Sequence, residues 1–138
     1  MMQSEIVNLV KQYENPGDFT YATISDSQIC EAERRLSVQL PAEYIDFLRM
    51  YGHGGIGGIE VIGVGKNGKL LFVEQTEKYR GYGLPNNLVL IENCDEWVYC
   101  IDCNSGKIIS WSNTAIATAY FSFSEYLLDR FNDAVENM

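Results

Sequence analysis

Cysteine and histidine are the residues of this chain whose spacing first suggests chemistry. Cys100 and Cys103 form a Cys-x-x-Cys pair, and Cys94 precedes them. A structural zinc site needs four thiolate or imidazole ligands at workable spacing, and the single histidine, His53, does not complete one. A redox Cys-x-x-Cys opens a helix, whereas this pair falls in a predicted strand. We therefore expect no metal, no cofactor and reduced cysteines that serve packing.

Several carboxylates lie in the middle of the chain. Two of them meeting in a pocket could act as general acid and base in hydrolysis, but the sequence does not show that any pair converges. The electrostatic alternative is a negative face that attracts the lysines and arginines of a basic partner. A solvated surface with no special role is the third interpretation. The residues concerned are Glu60, Glu74, Glu77, Glu92, Asp95 and Glu96.

Aromatic residues lie close to these carboxylates in the sequence. The stretch Tyr79 to Gly83 reads Tyr-Arg-Gly-Tyr-Gly, and Trp97 follows Asp95-Glu96 directly. Tyrosine and arginine are enriched in the residues that dominate binding energy at protein interfaces. The competing interpretation is that Tyr79 and Trp97 cover the core. The resulting candidate set for partner binding is Glu74, Glu77, Tyr79, Tyr82, Asp95 and Glu96.

A glycine-dense stretch, Gly52-His53-Gly54-Gly55-Ile56-Gly57-Gly58, resembles a phosphate-binding loop only superficially. It lacks the Gly-Lys-Ser/Thr ending of such a loop, and it follows a predicted helix where a phosphate loop follows a strand. We interpret these glycines as conformational, allowing the chain to turn from a helix into a sheet.

Charge excludes several classes of partner. The 138 residues include 10 Lys plus Arg and 19 Asp plus Glu, a formal net charge of −9. A protein that holds nucleic acid needs a basic face, and docking on an anionic membrane needs one too. No apolar run is long enough to span a bilayer, and the N-terminus does not resemble a signal peptide. We expect one cytoplasmic domain over residues 1–138, with no nucleic-acid or membrane partner.

Apolar spacing and capping residues predict the helices. Ile6, Leu9, Val10 and Tyr13 follow a helical period, so a first helix is expected from Ser4 to Glu14. Ser25 and Gln28 form a capping box that opens a second helix. Pro41 suits the first position of a third helix, which Gly52 would cap. Ser122 and Glu125 form another capping box, before a last helix whose apolar face runs from Phe123 to Val135 and includes Met138.

The rest of the chain is predicted to form a sheet. A strand is expected at Ile59–Val64, followed by a turn at Asn67-Gly68. Leu70–Arg80 is ambiguous between strand and helix, and we favour a helix over most of it. Short links imply an antiparallel meander, with helices before it and a closing helix packed on it, which is an α+β fold. Its strands are expected at Leu88–Ile91, Trp97–Ile101 and Lys107–Trp111.

These elements occur in an order that resembles the SUKH superfamily, named partly for a yeast cell-wall-synthesis regulator. The stretch Leu40–Gly52, with the glycines that follow, resembles the family's Leu-Pro-x-x-Tyr/Phe-x-x-Phe-Leu-x-x-Tyr-Asn-Gly helix. Tyr120–Leu127 resembles its closing Ser-Phe-x-x-Tyr/Phe-Leu helix. The similarity covers about Ile24 to Arg130. One departure is Gly52-His53, where many members have Asn-Gly. The remaining matches are Gly83-Leu84-Pro85 with Leu88–Ile91, Trp97–Asp102 and Lys107–Trp111.

The resemblance implies a binding protein and not an enzyme. Bacterial members commonly act as immunity proteins that bind and block a polymorphic toxin, often a nuclease, and an acidic inhibitor suits a basic toxin domain. The alternative is an intracellular adaptor that binds a regulatory protein and has no toxin partner. A hydrolase remains a third hypothesis, which requires Glu60, Glu92 or Asp95 to meet in a pocket. The sequence leaves open whether the protein is a monomer or a homodimer.

Overall fold

The computed structural model describes residues 2–138, which form five α-helices and one four-stranded sheet. The predicted α+β class is therefore confirmed. The helices are α1 (Ser4–Tyr13), α2 (Asp26–Leu36), α3 (Ala42–Met50), α4 (Leu71–Arg80) and α5 (Phe123–Glu136). The strands are β1 (Leu88–Asn93), β2 (Val98–Asp102), β3 (Ile108–Trp111) and β4 (Ile116–Tyr120).

The sheet is the predicted antiparallel meander with one strand more than expected. Its order is β1-β2-β3-β4, and each strand pairs with its neighbour in the sequence. The prediction missed β4 because none of its five residues is buried, so no alternation of apolar and polar side chains marks it.

The two faces of the sheet carry different neighbours. Tyr99 and Tyr120 contact the ring of Tyr126 on α5, with centroid distances of 5.5 and 5.7 Å. Successive side chains of a strand alternate between faces. The register therefore places Trp111 and its partner Ile116 on the face away from α5. The end of α4 approaches Trp111 there, through Tyr79.

The two edges of the sheet also differ in whether other parts of the chain cover them. At the β1 edge, the N–H of Leu90 donates to Thr76 Oγ1 on α4 at 3.0 Å. The N–H of Ile62 donates to the carbonyl of Ile91 at 2.7 Å. Within residues 2–138, no strand pairs with the outer side of β4. One edge is thus covered by the protein itself and the other is open.

Tyr44 lies at the centre of the core. Its ring meets Phe72 of α4 and Phe123 of α5 edge-on, at centroid distances of 5.6 and 5.5 Å. Its hydroxyl donates to the carbonyl of Ile62 at 2.6 Å, so the one polar atom on this fully buried ring is satisfied. The side chain thereby joins three helices to the segment that covers the sheet edge.

The prediction of a strand at Ile59–Val64 is wrong. Only isolated bridges involve this segment, pairing Val61 with Gly54 and Val64 with Leu70. The segment runs close against other backbone, and a Cβ at Gly63 would lie 1.8 Å from the carbonyl oxygen of Gly52. Val61, Ile62 and Val64 are buried because the segment packs closely against other parts of the chain, and not because it adds a strand to the sheet.

Local signals placed most helix ends correctly. The capping box of Ser25 and Gln28 is complete, and Leu71–Arg80 is the favoured helix. Ser122 Oγ accepts from the N–H of Glu125, but the carboxylate of Glu125 accepts from Phe121 instead of closing the box. Three details were wrong. Pro41 precedes α3 and is not its first residue. The strands β2 and β3 each begin one residue later than predicted, and Met138, predicted on the apolar face of the last helix, is 63% exposed.

Candidate functional site

The link between β1 and β2 presents two carboxylates at its tip. The N–H of Cys94 donates to the carbonyl of Trp97 at 2.9 Å, which closes a tight turn around Asp95 and Glu96. Asp95 adopts a left-handed conformation (φ 68°), and its N–H donates to Asn93 Oδ1 at 2.8 Å. None of the ion pairs formed among residues 2–138 involves either carboxylate. Both charges are therefore exposed and unneutralised.

Aromatic rings from three parts of the chain meet beside this turn. Tyr79, in the last turn of α4, contacts Tyr82 edge-on at a centroid distance of 5.4 Å and Trp111 of β3 at 6.5 Å. The hydroxyl of Tyr79 accepts a hydrogen bond from Asn93 Nδ2 at 3.1 Å. Tyr79 is half-buried against the core and also lines the surface. Tyr82 is 58% exposed, which leaves its ring free to contact another molecule.

These rings and carboxylates enclose one depression, which we call the aromatic groove. Its volume is about 230 Å³. The structure thus brings together four of the six residues predicted to bind a partner. The lining residues are Tyr79, Tyr82, Asp95, Glu96, Trp97, Val98, Trp111, Ser112 and Asn113.

The other two predicted residues, Glu74 and Glu77, do not line the aromatic groove. Glu77 forms an ion pair with Arg35 of α2 at 2.6 Å, and this contact raises the pKa of Arg35. Glu74 lies 3.6 Å from the amino group of Lys69. Each charge already has a partner within the chain. Both side chains lie on the part of α4 that meets α2 and the preceding loop.

Sequence reasoning missed the residues that the β3–β4 turn contributes to the aromatic groove. Trp111 was read as a strand residue only, while Ser112 and Asn113 were not considered. The available signal was the polar run Ser112-Asn113-Thr114 after a strand, which is typical of a hairpin turn. Trp97 borders the groove, yet its ring meets Tyr99 edge-on at 6.1 Å. Arg80 faces away from the groove and donates to the carbonyls of Leu36 and Asn86.

The carboxylates considered for acid–base chemistry have separate environments. Glu92 is buried and bound by Arg130 and Tyr126. Glu60 is exposed and lies 3.6 Å from His53 Nε2, whereas His53 Nδ1 accepts the N–H of Gly63 at 2.9 Å. Asp95 lies on the hairpin tip. The structure therefore offers no acid–base pair built from these three carboxylates, and His53 serves to hold the glycine-rich loop.

Three of the four cysteines, Cys94, Cys100 and Cys103, are free thiols with raised pKa values, whereas the free thiol of Cys30 is exposed. Burial, with a contribution from Glu92, raises the pKa of Cys94 to about 12, and burial beside Asp102 raises that of Cys103 to about 12. Burial also raises the pKa of Cys100. No group of three or more histidine, cysteine, aspartate or glutamate side chains within residues 2–138 could hold a metal ion.

A larger depression of about 630 Å³ lies between α2, α3 and the β2–β3 turn. Its charges are already paired, since Asp26 binds Arg49 at 3.0 Å and Glu33 accepts the N–H of Leu40 at 2.8 Å. It has no exposed aromatic side chain among its lining residues. The aromatic groove is smaller, but its exposed rings and unpaired charges make it the better candidate for binding.

Comparison with known proteins finds a family whose model matches most of this chain. The model of the SUKH_5 family, described as SMI1-KNR4 cell-wall, matches residues 3–132. The chain belongs to this family. The predicted membership of the SUKH superfamily is therefore confirmed. In the SUKH chain described here, the aromatic groove lies within the matched range.

The crystal structure of a protein from Pseudomonas syringae pv. tomato has the same fold. The two superpose with a TM-score of 0.76 at 19% sequence identity, covering 92% of this chain and 96% of that one. At this identity the likeness shows the fold alone. No helix within residues 2–138 of the SUKH chain has both the length and the apolar character that a membrane span requires.

Proposed function

We propose that this SUKH protein is an immunity protein that binds a basic toxin domain, such as a nuclease, and masks its active site. The observation that supports the proposal is the convergence of Tyr79, Tyr82 and Trp111 with the unpaired carboxylates of Asp95 and Glu96. Family membership agrees with this role, since bacterial members commonly neutralise toxins.

Charge supports a basic toxin as the partner. A nuclease holds its substrate through lysine and arginine, and a chain with a net charge of −9 attracts such a surface. Unpaired carboxylates at the groove can bind those side chains without first breaking internal ion pairs. Aromatic faces beside the carboxylates add apolar contact and attraction for cations. Binding in this form is stoichiometric and needs no catalytic group.

The direct test is co-expression with the basic toxin domain encoded beside this protein's gene. Masking requires that cells survive and that the two proteins co-purify as a stable 1:1 complex with the toxin inactive. Survival without a complex would contradict masking. Absence of a toxin gene nearby, with altered growth on deletion, would favour the adaptor hypothesis instead.

A further inference from the structure

The open edge of the sheet has neither lysine nor proline to block pairing, although a register shift between Thr118 and Tyr120 interrupts it. In an antiparallel strand every second residue directs its N–H and C=O away from the neighbouring strand. Proteins usually guard such edges with lysine, proline or a covering element. β4, with the sequence Ile-Ala-Thr-Ala-Tyr, contains neither residue, and its first four residues are exposed.

The edge is also the least charged region of an otherwise charged chain. No aspartate, glutamate, lysine or arginine occurs between Lys107 and Glu125, although such residues make up 21% of the chain. Charged side chains lie at the C-terminal end of β4. There, Tyr120 donates to Asp129 at 2.6 Å, and Lys107 lies 5.7 Å from the ring centroid of Phe121.

A depression of mixed polar and apolar lining continues from the sheet to this edge. On the face away from α5, this depression of about 380 Å³ reaches Ile116, which is 60% exposed. The carboxylate of Asp102 at its far side accepts hydrogen bonds from Asn87, Asn104 and Ser105. The depression is lined by Pro85, Asn87, Leu88, Asp102, Ile109, Ile116, Ala117 and Thr118.

We propose that β4 pairs in antiparallel fashion with β4 of a second copy of this chain, joining two sheets into one of eight strands. A two-fold axis near Ala117 places Ile116 of each copy opposite Thr118 of the other, so the edge is complementary to itself. The two Asp129 carboxylates then lie at opposite ends of the paired strands.

Charge favours a second copy over a basic toxin at this edge. Two chains of net charge −9 repel one another, and an uncharged edge is where they approach at the lowest electrostatic cost. A basic partner gains no charge attraction there. The register shift between Thr118 and Tyr120 limits regular pairing to the first part of β4. The interface is therefore small and the dimer reversible.

The test needs only the purified chain, so its outcome is independent of the proposed toxin partner. Analytical ultracentrifugation over a range of concentrations should show a monomer–dimer equilibrium. Ile116→Lys and Thr118→Lys should each weaken the dimer on the order of tenfold, because they bring lysines together across the axis. Gln12→Lys on exposed α1 adds the same charge away from the edge and should leave the equilibrium unchanged.

Hydrogen exchange gives a second readout that does not depend on variants. Amide protons of residues 116–118 that face outward should become protected as the protein concentration rises, while those of the Asn113-Thr114 turn should not. A chain that stays monomeric at high concentration would overturn the proposal. So would a dimer that tolerates lysine at both positions, or an edge that is protected only when a toxin domain is added.

Discussion

Arg130 of α5 binds both carboxylate oxygens of Glu92 on β1. Its Nη2 lies 2.6 Å from Oε2 and its Nε lies 3.1 Å from Oε1, while Tyr126 donates its hydroxyl to the same Oε1 at 2.7 Å. Glu92 is only 5% exposed. The hydrogen bond that Arg130 donates to Glu92 raises the pKa of Arg130, and burial together with Glu92 raises that of Tyr126. This contact fixes the closing helix to the sheet edge that the protein covers itself.

Removing Arg130 alone should destabilise the protein strongly. Arg130→Met leaves the Glu92 carboxylate buried without a cation, and the expected loss in the free energy of unfolding is about 3 kcal/mol. The double variant Glu92→Gln with Arg130→Met should lose less, because no buried charge remains. Urea unfolding measures both values.

The exposed pair of Arg49 and Asp26 provides the matched control. Their side chains are 52% and 93% exposed, so Arg49→Met should cost no more than about 1 kcal/mol. Equal losses for Arg130→Met and Arg49→Met would show that the buried pair contributes nothing special.

Tyr82 should act as a binding residue with little effect on stability. Its ring is mostly exposed, so Tyr82→Ala should leave the unfolding midpoint nearly unchanged. An aromatic anchor at an interface is worth about 2 kcal/mol or more, which corresponds to roughly a thirtyfold rise in the Kd for the toxin domain. Calorimetry of the toxin complex measures this change. As a control, Met50→Ala changes another exposed apolar side chain and should leave the Kd unaltered. If Tyr82→Ala also left the Kd unaltered, Tyr82 would be excluded from the interface.

Reversing the two unpaired charges should slow capture of a basic toxin. With Asp95→Lys and Glu96→Lys, the association rate should fall and its dependence on salt should flatten, because steering by the groove is lost. Stopped-flow binding at several ionic strengths measures both effects. Glu31→Lys with Glu136→Lys produces the same net charge on exposed helix positions. If both double variants behave alike, overall charge and not the aromatic groove directs the encounter.

Two glycines of the loop after α3 should differ sharply in their tolerance of a side chain. Gly54 and Gly58 both have positive φ, at 121° and 86°. A Cβ at Gly54 would lie 1.9 Å from the carbonyl oxygen of Asp18, whereas nothing lies within 4 Å of one at Gly58. Gly54→Ala should therefore cost about 3 kcal/mol or more, and Gly58→Ala about 1–2 kcal/mol from backbone strain alone. Chemical denaturation compares them, and similar losses would mean that the close approach at Gly54 is unimportant.

The thiols of Cys94 and Cys103 should react slowly in the folded protein. With a pKa of about 12, only about one thiol in ten thousand is ionised at pH 8, and the thiolate is the reactive form. At pH values below the pKa of a thiol, the fraction present as thiolate rises about tenfold per pH unit. The rate of alkylation should therefore rise by the same factor. Mass spectrometry after alkylation between pH 7 and 9 measures this. Both residues should be modified quickly in urea, and equally fast labelling of the folded chain would contradict the raised pKa.

Sequence patterns succeeded where the deciding interactions are local. The Ser25–Gln28 capping box involves residues three apart, so the start of α2 follows from the sequence alone. Periodicity identified the strands that have buried faces. The same reasoning failed at Ile59–Val64, where burial arises from distant loops, and at β4, which contains no buried residue.

The candidate site was predictable only in part for the same reason. Asp95 and Glu96 stood out as charges in a turn, and Tyr82 stood out in a glycine-rich loop. Their approach to Trp111 depends on how α4 lies across the sheet. Glu74 and Glu77 belong to the same helix as Tyr79, yet their ion pairs with Lys69 and Arg35 could not be read from spacing.

Composition and local order were enough to predict an acidic α+β chain that resembles the SUKH family. Those properties depend on residue counts and on neighbours along the chain, which every conformation preserves. Tertiary packing alone decided which carboxylates remain unpaired, which rings form the aromatic groove and which strand is left at an open edge. Each of these depends on distances between residues far apart in sequence, and such distances exist only once the core around Tyr44 has closed.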